Sequence, residues 1–445
     1  MKAWRSGIAV VAALALVLAA CSGDDTSTGE DGSPGTTIAS RITTGGEWDA
    51  SAIDVSTDQL DCQGPAANPT RGITDTSIKV GGLLTIDGPT VALFTDAEAG
   101  ARARFDRANA DGGVHGRTID FIGAENDGLD ATRQVDAARR LVDEEVFAVV
   151  PLLSAITSFR QVLCDEVMPH FGWGFTAAWC NTTVGFAITG CIVNPEPEYT
   201  SLGGGTIGDL MQGTDNTVAL LGNEDEAARL GIDLLADGFE SGGLEVVYAE
   251  NLLSPTTPVA DPSPIVNDIM TSNEGGPPAM VYMVADFANS NTMVQAIRGA
   301  GYDGLSVNAV GYDPRLATAE AFQGAFTTLQ WMPFEATDVA FVQQMNADFD
   351  QYIPDTTKNL PAAAGYIAAD LFLAGLQHAG RDVTVDSFVA ALNNDWVYPT
   401  PNFKGETRFP DNHETGVPCG TLVELEDEVY EAVVPITCSD PVKRQ

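Results

Sequence analysis

Basic side chains are scarce in this chain of 445 residues. Lysine and arginine together number 22, against 62 aspartates and glutamates, so the formal net charge at pH 7 is −40. A surface this negative repels the phosphate backbone of nucleic acids and the anionic face of a membrane. Neither a nucleic-acid partner nor electrostatic binding to lipid is therefore expected.

Metal-binding and catalytic motifs are also missing. The four histidines lie far apart, no C-x-x-C pair occurs, and no G-x-S-x-G nucleophile elbow is present. The glycine-rich stretch 203–208 follows no apolar run and leads into no G-K-[ST], so it does not predict a phosphate loop. The sequence predicts no metal, no cofactor and no enzyme. A secreted hydrolase would need a nucleophile and a base that the motifs do not supply.

Long apolar runs are absent except at the amino terminus. Lys2 and Arg5 precede 13 apolar or small residues at 8–20, too few for a membrane span and typical of a secretory signal. The run ends in Leu-Ala-Ala-Cys21, which resembles the lipobox of bacterial lipoproteins. We expect residues 1–20 to be a signal peptide, Cys21 to be lipidated, and 21–72 to be a flexible tether, with local docking of Trp48 and Ile53 as the alternative at those two positions. The alternative is a plain signal peptide in which Cys21 is incidental.

The cysteines support export of the chain. Seven are present, and removing Cys21 leaves six, an even number expected of a protein in an oxidising compartment. Sequence proximity favours the pairs Cys180–Cys191 and Cys419–Cys438, which leaves Cys62–Cys164 by elimination. Six cysteines allow fifteen connectivities, so the third pairing depends on the first two.

Short β-branched runs alternate with helical stretches along the body of the chain. Strands are predicted at 78–84, 118–122, 146–150 and 172–175, with helices at 96–110, 130–144 and 155–167. The rhythm repeats with strands at 218–221, 244–248, 280–284 and 306–310, and helices at 224–240, 266–273 and 290–301. Such alternation predicts two α/β units with parallel sheets covered by helices.

Three proline-marked connectors punctuate these units, at 194–197, 331–333 and 398–401. Helices are predicted at 339–352 and 362–379 after the second connector, and a hairpin-like segment at 403–436 after the third. One interpretation is that the chain crosses three times between two lobes built from discontinuous segments. The other is two consecutive domains joined once, and the residues alone leave both open.

Several segments resemble the branched-chain amino-acid-binding proteins of ABC importers. Residues 109–119 read N-A-D-G-G-V-H-G-R-T-I, similar to the family's N-x-x-G-G-V-x-G-R-x-I, and 78–81, Gly88-Pro89 and 130–142 are similar as well. The resemblance covers about 73–440. It implies a type I periplasmic-binding fold, an α/β architecture of two Rossmann-like lobes joined by three hinge crossings. Lobe 1 would comprise 73–193 and 331–397, and lobe 2 would comprise 194–330 and 398–440.

The resemblance also assigns a ligand site on the first lobe, since ligands of open α/β sheets bind beyond the carboxyl ends of the strands. Ser154 matches the residue that holds a ligand carboxylate, and Thr157 and Ser158 add hydroxyls at a helix start. An ordinary N-cap is the alternative. The resemblance implies further contacts from the strand end and the first loop, namely Gly174, Phe175 and Thr176, and Leu93 or Phe94 as an aromatic lid. A simple strand end and a helix-capping core residue are the respective alternatives.

The second lobe departs from the family pattern. The helix after 218–221 begins without the family's aromatic residue. The acid that would anchor an ammonium group is replaced by Asp313, beside Tyr312, while Asp286 and Phe287 take the place of another aromatic. The carboxylate half of the site thus matches the family better than the ammonium half does.

These features predict a lipoprotein on the outer face of a bacterial cell membrane. By resemblance, it would be monomeric, capture a small carboxylate-bearing ligand by hinge closure, and deliver it to an ABC permease. The ligand would be a branched-chain or other amino acid, or a related organic acid or amide. A ligand sensor of the same fold, signalling through a partner without transport, is the alternative.

Overall fold

The computed structural model describes Trp48, Ile53 and residues 55–87, 94–195, 199–200 and 206–444. The predicted signal peptide, Cys21, most of the predicted tether, Gly88-Pro89 and Leu93 lie outside these residues. Two sheets organise the rest of the chain.

The first sheet has five strands in the order β2-β1-β3-β4-β5, all paired in parallel. The strands are β1 (Ser77–Leu84), β2 (Thr118–Asn126), β3 (Ala148–Leu153), β4 (His170–Gly172) and β5 (Gly185–Ala187). The helices between them are α1 (Ala97–Ala110), α2 (Ala131–Asp143) and α3 (Phe159–Asp165). The central strand β3 is fully buried, which explains its uninterrupted apolar sequence. This sheet and its helices form lobe 1.

The second sheet follows the order β15-β14-β11-β10-β9-β7-β8. Its parallel strands are β7 (Thr217–Asn223), β8 (Glu245–Leu253), β9 (Met280–Val284), β10 (Leu305–Asn308) and β11 (Ala325–Leu329). The antiparallel strands β14 (Cys419–Glu426) and β15 (Val429–Ala432) extend it, and β16 (Thr437–Cys438) pairs with β14. The helices are α4 (Thr206–Leu210), α5 (Glu226–Ser241), α6 (Ser263–Met270) and α7 (Phe287–Gly299). These elements form lobe 2, joined at its edge by the small pair β6 (Tyr199–Thr200) and β17 (Val442–Lys443).

Three further helices return the chain to lobe 1: α8 (Ala340–Tyr352), α9 (Leu360–Ala379) and α10 (Val385–Leu392). Helix α9 is long and apolar enough to pass for a membrane span, but 78% of its apolar window is buried against the protein. It packs so closely on α1 that a Cβ at Gly100 would lie 2.0 Å from the Ala362 carbonyl oxygen, and one at Gly365 2.0 Å from that of Ala97. Two glycines therefore permit this helix pair, and α9 is a core helix of lobe 1.

The chain passes between the lobes three times, after β5, after β11 and before β14. The two-lobed α/β architecture agrees with the prediction, but the third crossing lies later than the 398–401 connector. Strands β12 (Trp396–Tyr398) and β13 (Thr407–Phe409) pair with each other and pack on lobe 1. The Phe409 ring lies 5.0 Å from that of Phe186, and Thr407 donates a hydrogen bond to the Ile188 carbonyl. The predicted hairpin 403–436 is thus divided between the lobes.

Part of the predicted tether is folded. Cys62 is bonded to Cys164, and the Arg71 guanidinium donates to the carbonyls of Glu166 and Val167 in lobe 1. Trp48, Ile53, Val55 and Leu60 pack on the Cys419–Cys438 disulfide of lobe 2. We call Trp48, Ile53 and residues 55–62 the N-terminal strap. The structure agrees with local docking of Trp48 and Ile53 and corrects the tether prediction for 55–72, where isolated apolar residues in a Ser/Thr/Gly-rich segment carry no periodic signal.

All three predicted disulfide bonds are formed: Cys62–Cys164, Cys180–Cys191 and Cys419–Cys438. The first joins residues 102 positions apart, whereas the second closes a loop of 11. Chain-entropy arguments assign about 4.7 kcal/mol to the longer loop and about 3 kcal/mol to the shorter one.

We expect the Cys62→Ser/Cys164→Ser variant to lose roughly 2 kcal/mol more free energy of unfolding than Cys180→Ser/Cys191→Ser, since the longer loop restricts the unfolded chain more. Guanidinium denaturation of both double variants and the parent checks this. Equal losses would contradict it.

Lys404 is a buried cation beside the second crossing. Its backbone forms an isolated antiparallel β-bridge with Trp331. Its Nζ donates to the Gly405 carbonyl at 2.7 Å and to Thr407 Oγ1 at 2.6 Å. Burial away from water lowers the pKa of Lys404 to about 7, and Glu406 opposes this shift only in part. The unfolded chain keeps the ordinary lysine value, so between pH 7 and about 10 it binds more protons than the folded protein.

The free energy of unfolding is therefore expected to rise with pH above 7 by a contribution of up to about 1.4 kcal/mol per pH unit from Lys404. The Lys404→Met variant lacks that contribution. The free energies of unfolding of both proteins are measured by denaturation from pH 7.5 to 9.5. Their difference at each pH gives the contribution of Lys404, because all other groups titrate alike in the two proteins. A difference that does not change with pH would refute the role of Lys404.

Candidate functional site

The carboxyl ends of the parallel strands of the two lobes meet at the second crossing. Trp173, just after β4, packs its ring 5.2 Å from that of Trp331 in the crossing. Tyr312, four residues after β10, donates to Glu335 at 2.6 Å and accepts from the Phe334 backbone at 3.0 Å. One aromatic side chain from each lobe thus contacts the same connecting segment, and the strand ends on either side of it form the walls of the candidate cleft.

Ser154 lies at the end of β3, as predicted, but its hydroxyl is committed inside the protein. It is 1% exposed, donates to Asp127 Oδ2 at 2.5 Å and accepts from Gln134 at 2.6 Å. Asp127 also accepts from Thr85 and from the Leu129 backbone. A ligand carboxylate at Ser154 Oγ would find no free proton and would lie beside the Asp127 carboxylate. Sequence reasoning missed this network because its members are distant in sequence: Thr85, Asp127 and Ser154 follow β1, β2 and β3, and Gln134 lies in α2.

The helix after Ser154 starts later than predicted. It begins at Phe159 rather than 155, and Ser158 makes no side-chain capping bond. The Phe159 amide is instead capped by Gln134 Oε1 at 2.9 Å. Thr157 and Ser158 are both half-buried in the loop before α3. Their hydroxyls therefore lie between β3 and the helix, in a longer loop than the sequence indicated.

Gly174, Phe175 and Thr176 follow β4, which ends at Gly172 and not at 175 as predicted. Gly174 packs against the first crossing so closely that a Cβ would lie 1.9 Å from the Gly190 carbonyl oxygen. Its own carbonyl accepts from the Ile192 backbone at 3.0 Å and is not free for a ligand. Thr176 is 2% exposed, and its hydroxyl has no hydrogen-bond partner among the described residues.

Four aromatic rings line lobe 1 from the start of α1 to the crossing. Phe94 lies 5.5 Å from Phe175, which lies 5.2 Å from Trp173, which in turn contacts Trp331. We call these four residues the aromatic row. The indole N–H of Trp173 is buried and unpaired within the described part of the chain. The sequence analysis named Phe94 and Phe175 but missed both tryptophans, although each stands beside a predicted strand end or connector.

On lobe 2, Asp286 and Phe287 lie where α7 begins. Asp286 caps this helix, accepting from the backbone of Ala288 and Asn289 and from the Asn289 side chain. Its carboxylate is thus used for helix capping. The Phe287 ring carries the Arg315 guanidinium at 3.9 Å, a cation–π contact.

Asp313 is held by the same arginine. Arg315 donates to it from the backbone at 2.8 Å, from Nε at 2.9 Å and from a terminal nitrogen at 2.6 Å. The hydrogen bonds and charge of Asp313, aided by Asp96 at the start of α1, raise the pKa of Arg315. Asp96 belongs to lobe 1, so the charge of Arg315 also interacts with the opposite lobe. Arg315 itself was not predicted, although it stands two residues from the predicted acid.

Tyr312 is almost fully buried, and its pKa lies well above the usual tyrosine value because of burial and the neighbouring Glu335 carboxylate. Burial likewise raises the pKa of Glu335. The Tyr430 hydroxyl donates near the same turn, to the carbonyls of Gly311 and Asp313. Tyr312 thus acts as a link between β10 and the crossing, with its hydroxyl already paired.

Two buried asparagines at the strand ends of lobe 2 were not predicted. Asn308 ends β10 with 0% exposure, and neither its side-chain oxygen nor its nitrogen finds a partner in the described ranges. The Asn223 side-chain oxygen, at the end of β7, is unpaired in the same sense. Among the described residues of this wall, uncharged amide groups thus remain to hydrogen-bond a ligand, whereas the carboxylates of Asp286 and Asp313 already accept hydrogen bonds from the protein.

Among the described residues, no group of three His, Cys, Asp or Glu side chains could hold a metal ion. The arrangement can bind a molecule by hydrogen bonds and aromatic contacts.

Solved structures with this fold bind different molecules. An ABC transporter solute-binding protein from R. palustris, in complex with 4-hydroxybenzoate, is 16% identical (TM-score 0.63; 83% of this chain and 98% of that one). A branched-chain amino acid ABC transporter protein from Thermus thermophilus with bound valine is 13% identical (TM-score 0.66; 82% and 98%). A fatty acid ABC transporter substrate-binding protein from Thermomonospora curvata is 16% identical (TM-score 0.68; 83% and 94%).

No curated protein sequence matches the chain significantly. The family model described as periplasmic binding protein matches residues 77–428, which span both sheets and all three crossings. The chain therefore belongs to the periplasmic binding protein family.

Proposed function

We propose that this protein is an extracytoplasmic solute-binding lipoprotein of an ABC importer that captures a small carboxylate-bearing molecule between its lobes. The observation that carries the proposal is the buried Thr176 hydroxyl at the strand ends of lobe 1, which has no hydrogen-bond partner among the described residues; the same holds for the indole N–H of Trp173, three residues earlier. Polar groups buried without a partner are rare in folded proteins and costly. A bound ligand with acceptor oxygens would satisfy both donors.

The proposed contacts on lobe 1 are Thr157, Ser158, Phe94, Phe175 and Thr176. Ser154 and Gly174 would shape the cleft rather than touch the ligand, because their polar groups are already paired. On lobe 2, the proposed wall consists of Phe287, Tyr312 and the Asp313–Arg315 pair, with Asp286 holding the start of α7. Each lobe offers half of the site, so a ligand that contacts both binds the closed form better and shifts the population towards it.

The required affinity is within reach of such a site. Micromolar capture needs about −8 kcal/mol. Hydrogen bonds to a charged carboxylate contribute about 1.5–3 kcal/mol each, and burial of an apolar body against the aromatic row adds about 1.5–3 kcal/mol. The structural relatives with bound valine and 4-hydroxybenzoate support the carboxylate class, since both molecules carry that group.

Replacing Thr176 by valine is expected to abolish or weaken ligand binding at least 10-fold while leaving the melting temperature of the free protein unchanged or raised. Valine has a methyl group of similar shape in place of the hydroxyl, so the free protein loses a buried polar group that has no partner among the described residues. A thermal-shift screen of carboxylic acids identifies a ligand, and isothermal titration compares the variants.

Thr271→Val is the matched control. This exposed threonine is the C-cap of α6 and precedes β9, so it lies towards the amino ends of the strands, away from the cleft. Undiminished binding by Thr176→Val, or a parent protein that is folded yet silent to the whole screen, would contradict the proposal. Stimulation of a purified permease's ATPase by the liganded protein would separate transport from sensing without transport.

The proposed anchor is tested at Cys21. In a bacterial host, the parent protein is expected to incorporate labelled palmitate and fractionate with membranes, whereas Cys21→Ser appears in the soluble fraction without label. Ser22→Ala serves as the control and should behave like the parent. Label on the Cys21→Ser protein would show that the cysteine is not the lipidated residue.

A further inference from the structure

An ammonium group in a protein site requires an acceptor, usually a carboxylate with free lone pairs. Four carboxylates occupy the strand ends and the second crossing: Asp127, Asp286, Asp313 and Glu335. Each already receives hydrogen bonds from the protein. Asp127 accepts four, Asp286 accepts three, and Glu335 accepts from Tyr312.

Asp313 is the most completely covered of the acids on lobe 2. Three donors of Arg315 reach it, and its side chain is 15% exposed, against 53% for the arginine. The guanidinium carbon of Arg315 lies 3.9 Å from the centroid of the Phe287 ring. Fork-like pairing and cation–π stacking together fix the arginine over the acid. The exposed group of this turn is therefore the guanidinium and not the carboxylate.

The unpaired groups on lobe 1 are of the opposite kind. The Trp173 indole can only donate, and the Thr176 hydroxyl has a proton to donate. The aromatic row lies beside these donors and offers a flat apolar surface. Lobe 1 thus offers donors and aromatic faces, and on lobe 2 a guanidinium covers Asp313. The acceptors that lack a partner among the described residues at the lobe 2 strand ends, the side-chain oxygens of Asn308 and Asn223, carry no charge to pair with an ammonium group.

From this arrangement we propose that the ligand is a carboxylic acid with an apolar or aromatic body and no ammonium group, and that Arg315 sets this preference by occupying Asp313. The inference rests on the proposed function and narrows its ligand class. Arg315 is a specificity-determining residue, since its pairing withdraws the acid that an amino acid would use.

Matched ligand pairs that differ only in the ammonium group test the inference. We would titrate the full-length protein with 3-phenylpropanoate and phenylalanine, and with 4-methylpentanoate and leucine, by isothermal calorimetry. The acid without the amino group is expected to bind at least 10-fold tighter in one pair or both. Tighter binding of the amino acids would overturn the inference and leave the proposed function standing. Silence towards all four would overturn both.

The Arg315→Gln variant tests the named residue. It removes the positive charge and frees the Asp313 carboxylate. The affinity ratio within each ligand pair should therefore shift at least 10-fold towards the amino acid. The Arg315→Gln/Asp313→Asn double variant should not show this shift, because it has no carboxylate at that position. Arg315→Lys keeps a cation beside the acid and should retain the parent's preference, as should Arg139→Gln on the exposed face of α2. Thermal melting confirms that each variant is folded. An unchanged preference in folded Arg315→Gln would overturn the assignment.

Discussion

Each lobe contacts the second crossing through one aromatic side chain, and the geometry of the cleft depends on these two contacts. Trp173 packs on Trp331, and Tyr312 is hydrogen-bonded to Phe334 and Glu335 a few residues further on. Because Trp173 stands directly after β4 and Tyr312 four residues after β10, the position of the crossing fixes where the two sets of strand ends face each other. The proposed closure of the lobes would act at this segment, since hinges are a few connecting residues between otherwise rigid units.

Charge in the cleft is organised differently from charge on the surface. The chain carries a net charge of −40, yet the acids at the strand ends are covered by an arginine, by helix-capping amides or by buried hydroxyls. Internal pairing of these carboxylates leaves neutral donors and one shared cation exposed to a ligand. Such local neutralisation allows an anion to approach a protein whose long-range field is unfavourable, since that field is screened beyond about 8 Å at physiological salt.

The alternation of apolar runs and helices was sufficient to predict two parallel sheets, because buried strands such as β3 and β9 are uniformly apolar and have few alternatives. Local boundaries were harder. The start of α3 shifted to Phe159 because Gln134, distant in sequence, caps it, and the third crossing shifted because Phe409 packs on Phe186. In the candidate site, positions were predictable from strand ends, but pairing was not. Whether Ser154 is free depends on Asp127, whose proximity only the folded chain determines. Whether Asp313 is free depends on the side-chain conformation of Arg315, which is near in sequence but whose pairing the sequence does not give.

The N-terminal strap has a mechanical consequence. Cys62 fastens it to lobe 1, and its apolar residues rest on the Cys419–Cys438 disulfide, with Val417 of the third crossing and Tyr199 near the first packed alongside. The strap therefore contacts both lobes. A change in the angle between the lobes would therefore have to move the apolar residues of the strap over the Cys419–Cys438 disulfide, so the strap adds a link between the lobes besides the three crossings.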